Sequence, residues 1–250
     1  MKPIPRISTR GYYDRKNGKT LSKNSFYLYP KKEFTKLIGS KEITIMIHGL
    51  RNDNAGAITK IVLARNRLRK LGYKHPIIGL SYDSNTIGVH LAKYAKRALT
   101  AGQTIAIKNG KNLGLFIEYF KESSPNTKVR LMGHSLGSQV ILSTLEYLAK
   151  NKKNSNVVES VYLFGASITD DIPSSKKYGK ILQDIVHKKI VNYYAPTDEV
   201  LAWAQREEHV KGPLGLNGAI GNPIKKYRQK LVKPKNHRFA NYASVLNSFP

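Results

Sequence analysis

The run Ile43-Thr44-Ile45-Met46-Ile47 carries apolar or β-branched side chains at every position, with no polar alternation. A strand of this kind has no side to show to water. It must be covered on both faces, which is the condition of a strand inside a parallel sheet. Parallel neighbours need long crossovers, usually helical. The rest of the chain supplies them. After His48-Gly49, the residues Ile58, Ile61, Val62, Ala64, Leu68 and Leu71 recur at helical spacing, and Gly72 marks a stop. Pro76 to Tyr82 reads as a second strand, and 87–121 as mainly helical, with breaks expected near Gly102 and Gly110. Lys128 to Met132 is a short strand, Gln139 to Leu148 a helix with an apolar stripe, and Val157 to Phe164 a strand that ends at Gly165. A further strand lies around Ile190–Tyr194, and a last helix starts near Phe239 and carries Tyr242, Val245 and Leu246. The alternation predicts an α/β fold of three layers, with a mainly parallel central sheet flanked by helices.

At 250 residues the chain suits one domain. The expected division is a basic, loosely held N-terminal arm over 1–23 and a single domain over 24–250. Ser25–Tyr29 is a candidate early strand, closed by Pro30. Residues 205–236 hold four glycines, three prolines and many lysines, and are expected to form an irregular loop near the site.

Composition excludes several kinds of chemistry. There is no cysteine, so disulfides, a thiolate nucleophile and zinc–thiolate sites are ruled out. Neither a signal-peptide apolar stretch nor a run of about 20 apolar residues is present, and the expectation is a cytoplasmic protein. The formal net charge is +27, from 43 Lys and Arg against 16 Asp and Glu. Such a surface attracts polyanions, either nucleic acid or an anionic membrane. The cations are mostly lysine and spread along the whole chain, which also fits a compositional bias without a binding role.

Gly133-His134-Ser135-Leu136-Gly137 matches G-x-S-x-G. It directly follows one predicted strand and directly precedes a predicted helix, the context in which a serine is held at the tip of a strained turn with its hydroxyl above the sheet. The helix start then offers free N–H groups to a developing oxyanion. An ordinary glycine-rich turn with a capping serine has a similar pattern; the flanking strand and helix favour the nucleophile. With its upstream strand ending in His48-Gly49, the sequence resembles the α/β-hydrolase superfamily, in particular its lipase-like and esterase-like members. The resemblance runs from about Ile43 to Phe249 and is concentrated in four short segments.

That resemblance implies the remaining roles. The oxyanion donors would be the backbone N–H groups of Leu136 and Leu50, with His48 a supporting residue. The superfamily order of nucleophile, acid, histidine leaves His187, His209 and His237 as candidate bases. His237, in a loop just before the last helix, occupies the family position; His187 lies at a strand start, and His209 in a charged, solvated stretch. Asp198 follows the strand through Tyr194 and fits the acid, with Glu199, Asp170 and Asp171 as alternatives. A role for Asp198 as a helix cap would compete for the same carboxylate. The implied reaction is hydrolysis of a small-molecule or lipid carboxylic ester through an acyl-enzyme, without a cofactor or metal. The rival reading is a non-catalytic protein of this fold that binds nucleic acid or anionic membrane through its basic surface.

Overall fold

The computed structural model describes residues 4–250. Its centre is the strand anticipated from the apolar run, β3 (Glu42–Ile47), buried along its whole length. Ile43, Ile45 and Ile47 have no exposed surface, and each such side chain contributes about 1.5–3 kcal/mol by leaving water. Around β3 lie β1 (Arg6–Ser8), β2 (Tyr27–Tyr29), β4 (Ile77–Ser81), β5 (Lys128–His134), β6 (Val158–Phe164), β7 (Val186–Tyr194) and β8 (Tyr227–Leu231). They form one eight-stranded sheet in the order β2-β1-β4-β3-β5-β6-β7-β8. Every neighbouring pair is parallel except β1 with β2.

The crossover helices divide between the two faces. On one, α2 (Asn54–Lys70) and α8 (Phe239–Ser244) pack Ile61, Leu68, Phe239 and Tyr242 against Met46 and Met132 of the sheet. On the other, α3 (Ala95–Ser123), α4 (Gly137–Leu148) and α5 (Gly179–Ile185) bury Ile105, Phe116, Val140, Leu145 and Leu182 against Ile43, Ile45 and Leu131. Among the described residues there are also three short α-helices, α1 (Lys31–Thr35), α6 (Glu199–Arg206) and α7 (Leu214–Asn217). This is a three-layer α/β arrangement, a mainly parallel sheet between two layers of helices, with the C-terminal ends of the parallel strands gathered along one edge.

Three expectations need correction. Residues 6–8 are not part of a loose arm. They form β1 between β2 and β4, with Ile7 fully buried, and Tyr12 and Tyr13 also belong to the core. Residues 1–3 of that proposed arm lie outside the described residues. No break occurs at Gly102 or Gly110, since α3 is continuous over 29 residues. Gly110 marks close packing instead: a Cβ there would lie 2.3 Å from the Ser143 Cβ on α4. Finally, 205–236 is not irregular throughout, because it contains α7 and the edge strand β8.

Candidate active site

Ser135 stands between the last residue of β5 and the first of α4, with φ at +52°. A non-glycine residue in this region costs on the order of 1–3 kcal/mol and persists only where its surroundings hold it. Here the Ser135 N–H donates to Phe164 O at 3.0 Å, and Ser135 O accepts from the Ser138 hydroxyl at 2.6 Å. The flanking glycines allow the tight turn to press into the sheet. A Cβ at Gly137 would sit 2.4 Å from Ile47 O, and one at Gly133 would sit 2.6 Å from the Ile141 Cδ1.

His237 comes from the loop between β8 and α8 and reaches Ser135. Its Nε2 lies 2.8 Å from the Ser135 Oγ, and its Nδ1 lies 2.7 Å from the Asp198 Oδ2. A carboxylate accepts, so Nδ1 carries the proton and Nε2 accepts from the serine hydroxyl. The ring is half-buried and Asp198 has almost no exposed surface.

Asp198 divides its two oxygens. Oδ1 accepts from Leu201 N–H at 3.2 Å and caps α6. Oδ2 takes His237 and, at 2.6 Å, the hydroxyl of Tyr242. The expected competition between capping and pairing is therefore absent, since each task has its own oxygen. Burial pushes the carboxyl up, but the hydrogen bond and charge of His237, with donation from Tyr242 and Leu201, outweigh it and hold Asp198 below the ordinary carboxylate range. Burial and the Asp198 charge push the Tyr242 phenol strongly up, so it remains a donor.

Two further histidines frame the site, both fully buried and neutral. His134 Nε2–H donates to His237 O at 2.7 Å and so fixes the backbone that carries the facing imidazole. Burial, followed by the charge of His237, brings His134 down to about 3. His48 stacks on Tyr82 with ring centroids 4.5 Å apart, and burial together with Arg10 brings it down to about 3. Its Nδ1–H donates to Gly49 O at 2.9 Å, and Asn52 Nδ2 donates to the same carbonyl at 3.0 Å. With Gly49 O held from two sides, the peptide plane that carries Leu50 N–H is fixed. Arg10 braces this loop through Asn52 O at 3.0 Å, Asp53 O at 2.8 Å and the Ser81 hydroxyl at 2.9 Å. A Cβ on Gly49 would be 2.8 Å from the Ser135 Cβ, a measure of how closely the loop meets the serine. Among the described residues, neither Leu50 N–H nor Leu136 N–H donates to a protein acceptor.

The alternatives from the sequence fall elsewhere. Glu199 is exposed in the first turn of α6. Asp170 accepts from Asn217, and Asp171 pairs with Lys177 at 2.5 Å. His187 faces Glu159, and the His209 ring lies against Trp203. Tyr242, Arg10 and Asn52 were not singled out from the sequence as site residues. Tyr242 lay in the anticipated last helix without any local sign of a polar partner. No group of three or more His, Asp or Glu able to hold a metal occurs among the described residues. No helix among them is long and apolar enough to cross a membrane.

Residues 88–227, more than half of the chain, match a family described only as a protein of unknown function, DUF726. The chain belongs to the DUF726 family. The DUF726 match includes Ser135 and Asp198 and stops short of His237. A Caenorhabditis elegans protein described as an uncharacterized membrane protein is 30% identical over 94 residues, covering 38% of this DUF726 chain and 15% of the worm protein's length. Among solved structures, a hyperthermophilic esterase from Pyrobaculum calidifontis is similar at 11% identity and a TM-score of 0.45, covering 84% of this chain and 72% of the esterase. The catalytic core domain of a Trichoderma reesei acetyl xylan esterase is similar at 7% identity and a TM-score of 0.42, covering 82% and 91%. A Trichoderma reesei cutinase is similar at 19% identity and a TM-score of 0.34; the chain spans about half of it, with 52% and 55% covered.

Proposed function

We propose that this DUF726 protein is a serine hydrolase that cleaves carboxylic esters. The observation that carries the reading is the unbroken hydrogen-bond line from the Ser135 Oγ through His237 to Asp198, at 2.8 and 2.7 Å, starting from a serine with positive φ. Ser135 gives its proton to His237 Nε2 as its Oγ attacks the ester carbonyl. Asp198 stabilises the imidazolium and keeps the ring oriented. Leu50 and Leu136 N–H groups receive the oxyanion. Collapse of the tetrahedral adduct returns the proton to the leaving alcohol and leaves an acyl-serine. Water, deprotonated by His237, then releases the acid and restores the hydroxyl. Every proton in this cycle passes through His237, and no cofactor takes part.

The non-catalytic alternative leaves the strained Ser135, hydrogen-bonded to an imidazole that a buried carboxylate orients, without a purpose. A fluorophosphonate probe separates the two readings. Covalent labelling of the parent chain that disappears in Ser135→Ala, together with turnover of short p-nitrophenyl esters, supports hydrolysis. A folded parent chain that neither labels nor turns over any of the esters refutes it.

A further inference from the structure

The segment that follows β4 lies on the same edge of the sheet as Ser135, and its surface is unusual. From Asn54 to Ile117 the chain contains a single acidic residue, Asp83. Asp83 is buried and accepts from Gly11 N–H at 2.9 Å. Within this acid-poor stretch Ile87, Leu91 and Tyr94 stand 58%, 56% and 42% exposed. Between and beside them are Lys93, Lys96 and Arg97, all exposed, and among the described residues none of the three has a carboxylate partner. Single exposed apolar residues are ordinary on a protein surface; three within eight residues, interleaved with cations that lack a carboxylate partner among the described residues, are not.

The patch is tied to the site beneath it. The Thr86 hydroxyl donates to Ala98 O at 2.9 Å, clasping the loop to the first turns of α3. A Cβ on Gly102 would lie 2.5 Å from the Leu50 Cδ1 and 3.4 Å from the Leu136 Cδ2. The start of α3 thus rests on both residues whose amides flank Ser135. Beside it, Ile87 N–H donates to Arg15 O, which brings up the exposed Arg15, Lys16 and Lys19. The carboxylate on that loop, Asp14, is engaged by Lys16 N–H at 2.7 Å. Glu207 and Glu208 come near α3 only about two turns beyond Lys96, where Gln103 holds His209 O.

We propose that the Ile87–Arg97 segment, with the adjoining Arg15–Lys19 loop, docks on an anionic lipid bilayer and turns the Ser135 edge toward it. The cations suit a negative headgroup layer, and Ile87, Leu91 and Tyr94 suit the boundary just beneath it, where an amphipathic element buries its apolar side. Nucleic acid would use the charges but offers aliphatic side chains no apolar layer to enter. The orientation of the site rests on the proposed hydrolase reading; the docking does not, and Ser135→Ala should bind vesicles like the parent chain.

The test is co-sedimentation of the full chain with vesicles of phosphatidylcholine alone or with one third phosphatidylglycerol. The expected result is binding only to the phosphatidylglycerol vesicles, weakened by salt. Replacing Lys93, Lys96 and Arg97 together with Gln should weaken it about 100-fold, at roughly five-fold per cation. Ile87→Ser with Leu91→Ser should weaken it at least about ten-fold while leaving retention on double-stranded DNA unchanged. Thermal melting establishes that the variants fold, and Leu91→Ser alone is the fallback if the pair does not. Equal binding to both kinds of vesicle, no binding to either, or apolar variants that keep full vesicle affinity would overturn the proposal. In the last case the surface would be a general polyanion binder.

Discussion

Two buried neutral histidines make the stability of this protein fall as pH drops below about 6.5. His48 and His134 take up protons only near pH 3 when folded, whereas in the unfolded chain each does so near 6.5. A histidine depressed on folding contributes stability that is complete above its unfolded value and is lost as pH falls below it. At pH 7.5 the cost is negligible. At pH 5.5 the unfolded chain carries about nine-tenths of a proton on each ring and the folded chain almost none, a loss of about 1.4 kcal/mol per ring. The figure is insensitive to the folded value, because 5.5 lies far above it. Asp198, held below the ordinary range, titrates outside this window. Urea unfolding followed by circular dichroism at the two pH values should therefore give parent stabilities about 3 kcal/mol further apart than those of the double variant His48→Asn with His134→Gln. These replacements keep an N–H near the donating nitrogen, and the other five histidines are common to both chains and cancel. A double variant with the same pH dependence as the parent would show that the two rings are not held neutral.

Asp198→Asn should lower ester turnover about 10³- to 10⁴-fold by reversing the hydrogen bond that sets the His237 tautomer, while the retained Oδ1 keeps the cap on α6 and limits the fall in melting temperature; steady-state kinetics and a melting curve measure both. Tyr242→Phe removes one of three donors to that carboxylate and should cost about 1–3 kcal/mol of stability and about ten-fold in kcat with KM little changed. Arg10→Met releases the braces on Asn52 O and Asp53 O, and the same kinetic assay should give a kcat loss of about 10- to 100-fold at nearly constant KM. Gly137→Ala places a methyl 2.4 Å from a backbone oxygen of β3, so the melting temperature should drop sharply or the chain should fail to fold.

Much of the scaffold was legible in the sequence because buried parallel strands advertise themselves. The run at 43–47 has no polar side, those at 129–132 and 158–164 are mainly apolar around Arg130, Glu159 and Ser160, and each leads into a glycine that serves the next turn. Strands at the margin of the sheet give no such sign. Tyr227-Arg228-Gln229-Lys230-Leu231 is exposed after its first residue, and only Ile7 of Arg6-Ile7-Ser8 carries an apolar side chain. The breaks expected in α3 arose from reading Gly102 and Gly110 as helix stops, when their role is to let Leu50 and α4 approach. In the site, the G-x-S-x-G context singled out Ser135, and the resemblance to the α/β-hydrolase order pointed to Asp198 and His237; the fold brings all three within hydrogen-bond reach. The supports around them come from distant segments: Arg10 lies 38 residues before His48, and Tyr242 lies 44 after Asp198. No local pattern records such pairings.

His237 follows Ser135 by 102 residues and lies beyond the last strand of the sheet. During synthesis Ser135 and its turn emerge long before His237, the proton acceptor of the proposed mechanism, has been made. A growing or clipped chain would thus carry an inert alcohol. On the proposed hydrolase reading, the onset of hydrolysis would report the arrival of His237 at Ser135, and a continuous assay during refolding would read that step directly.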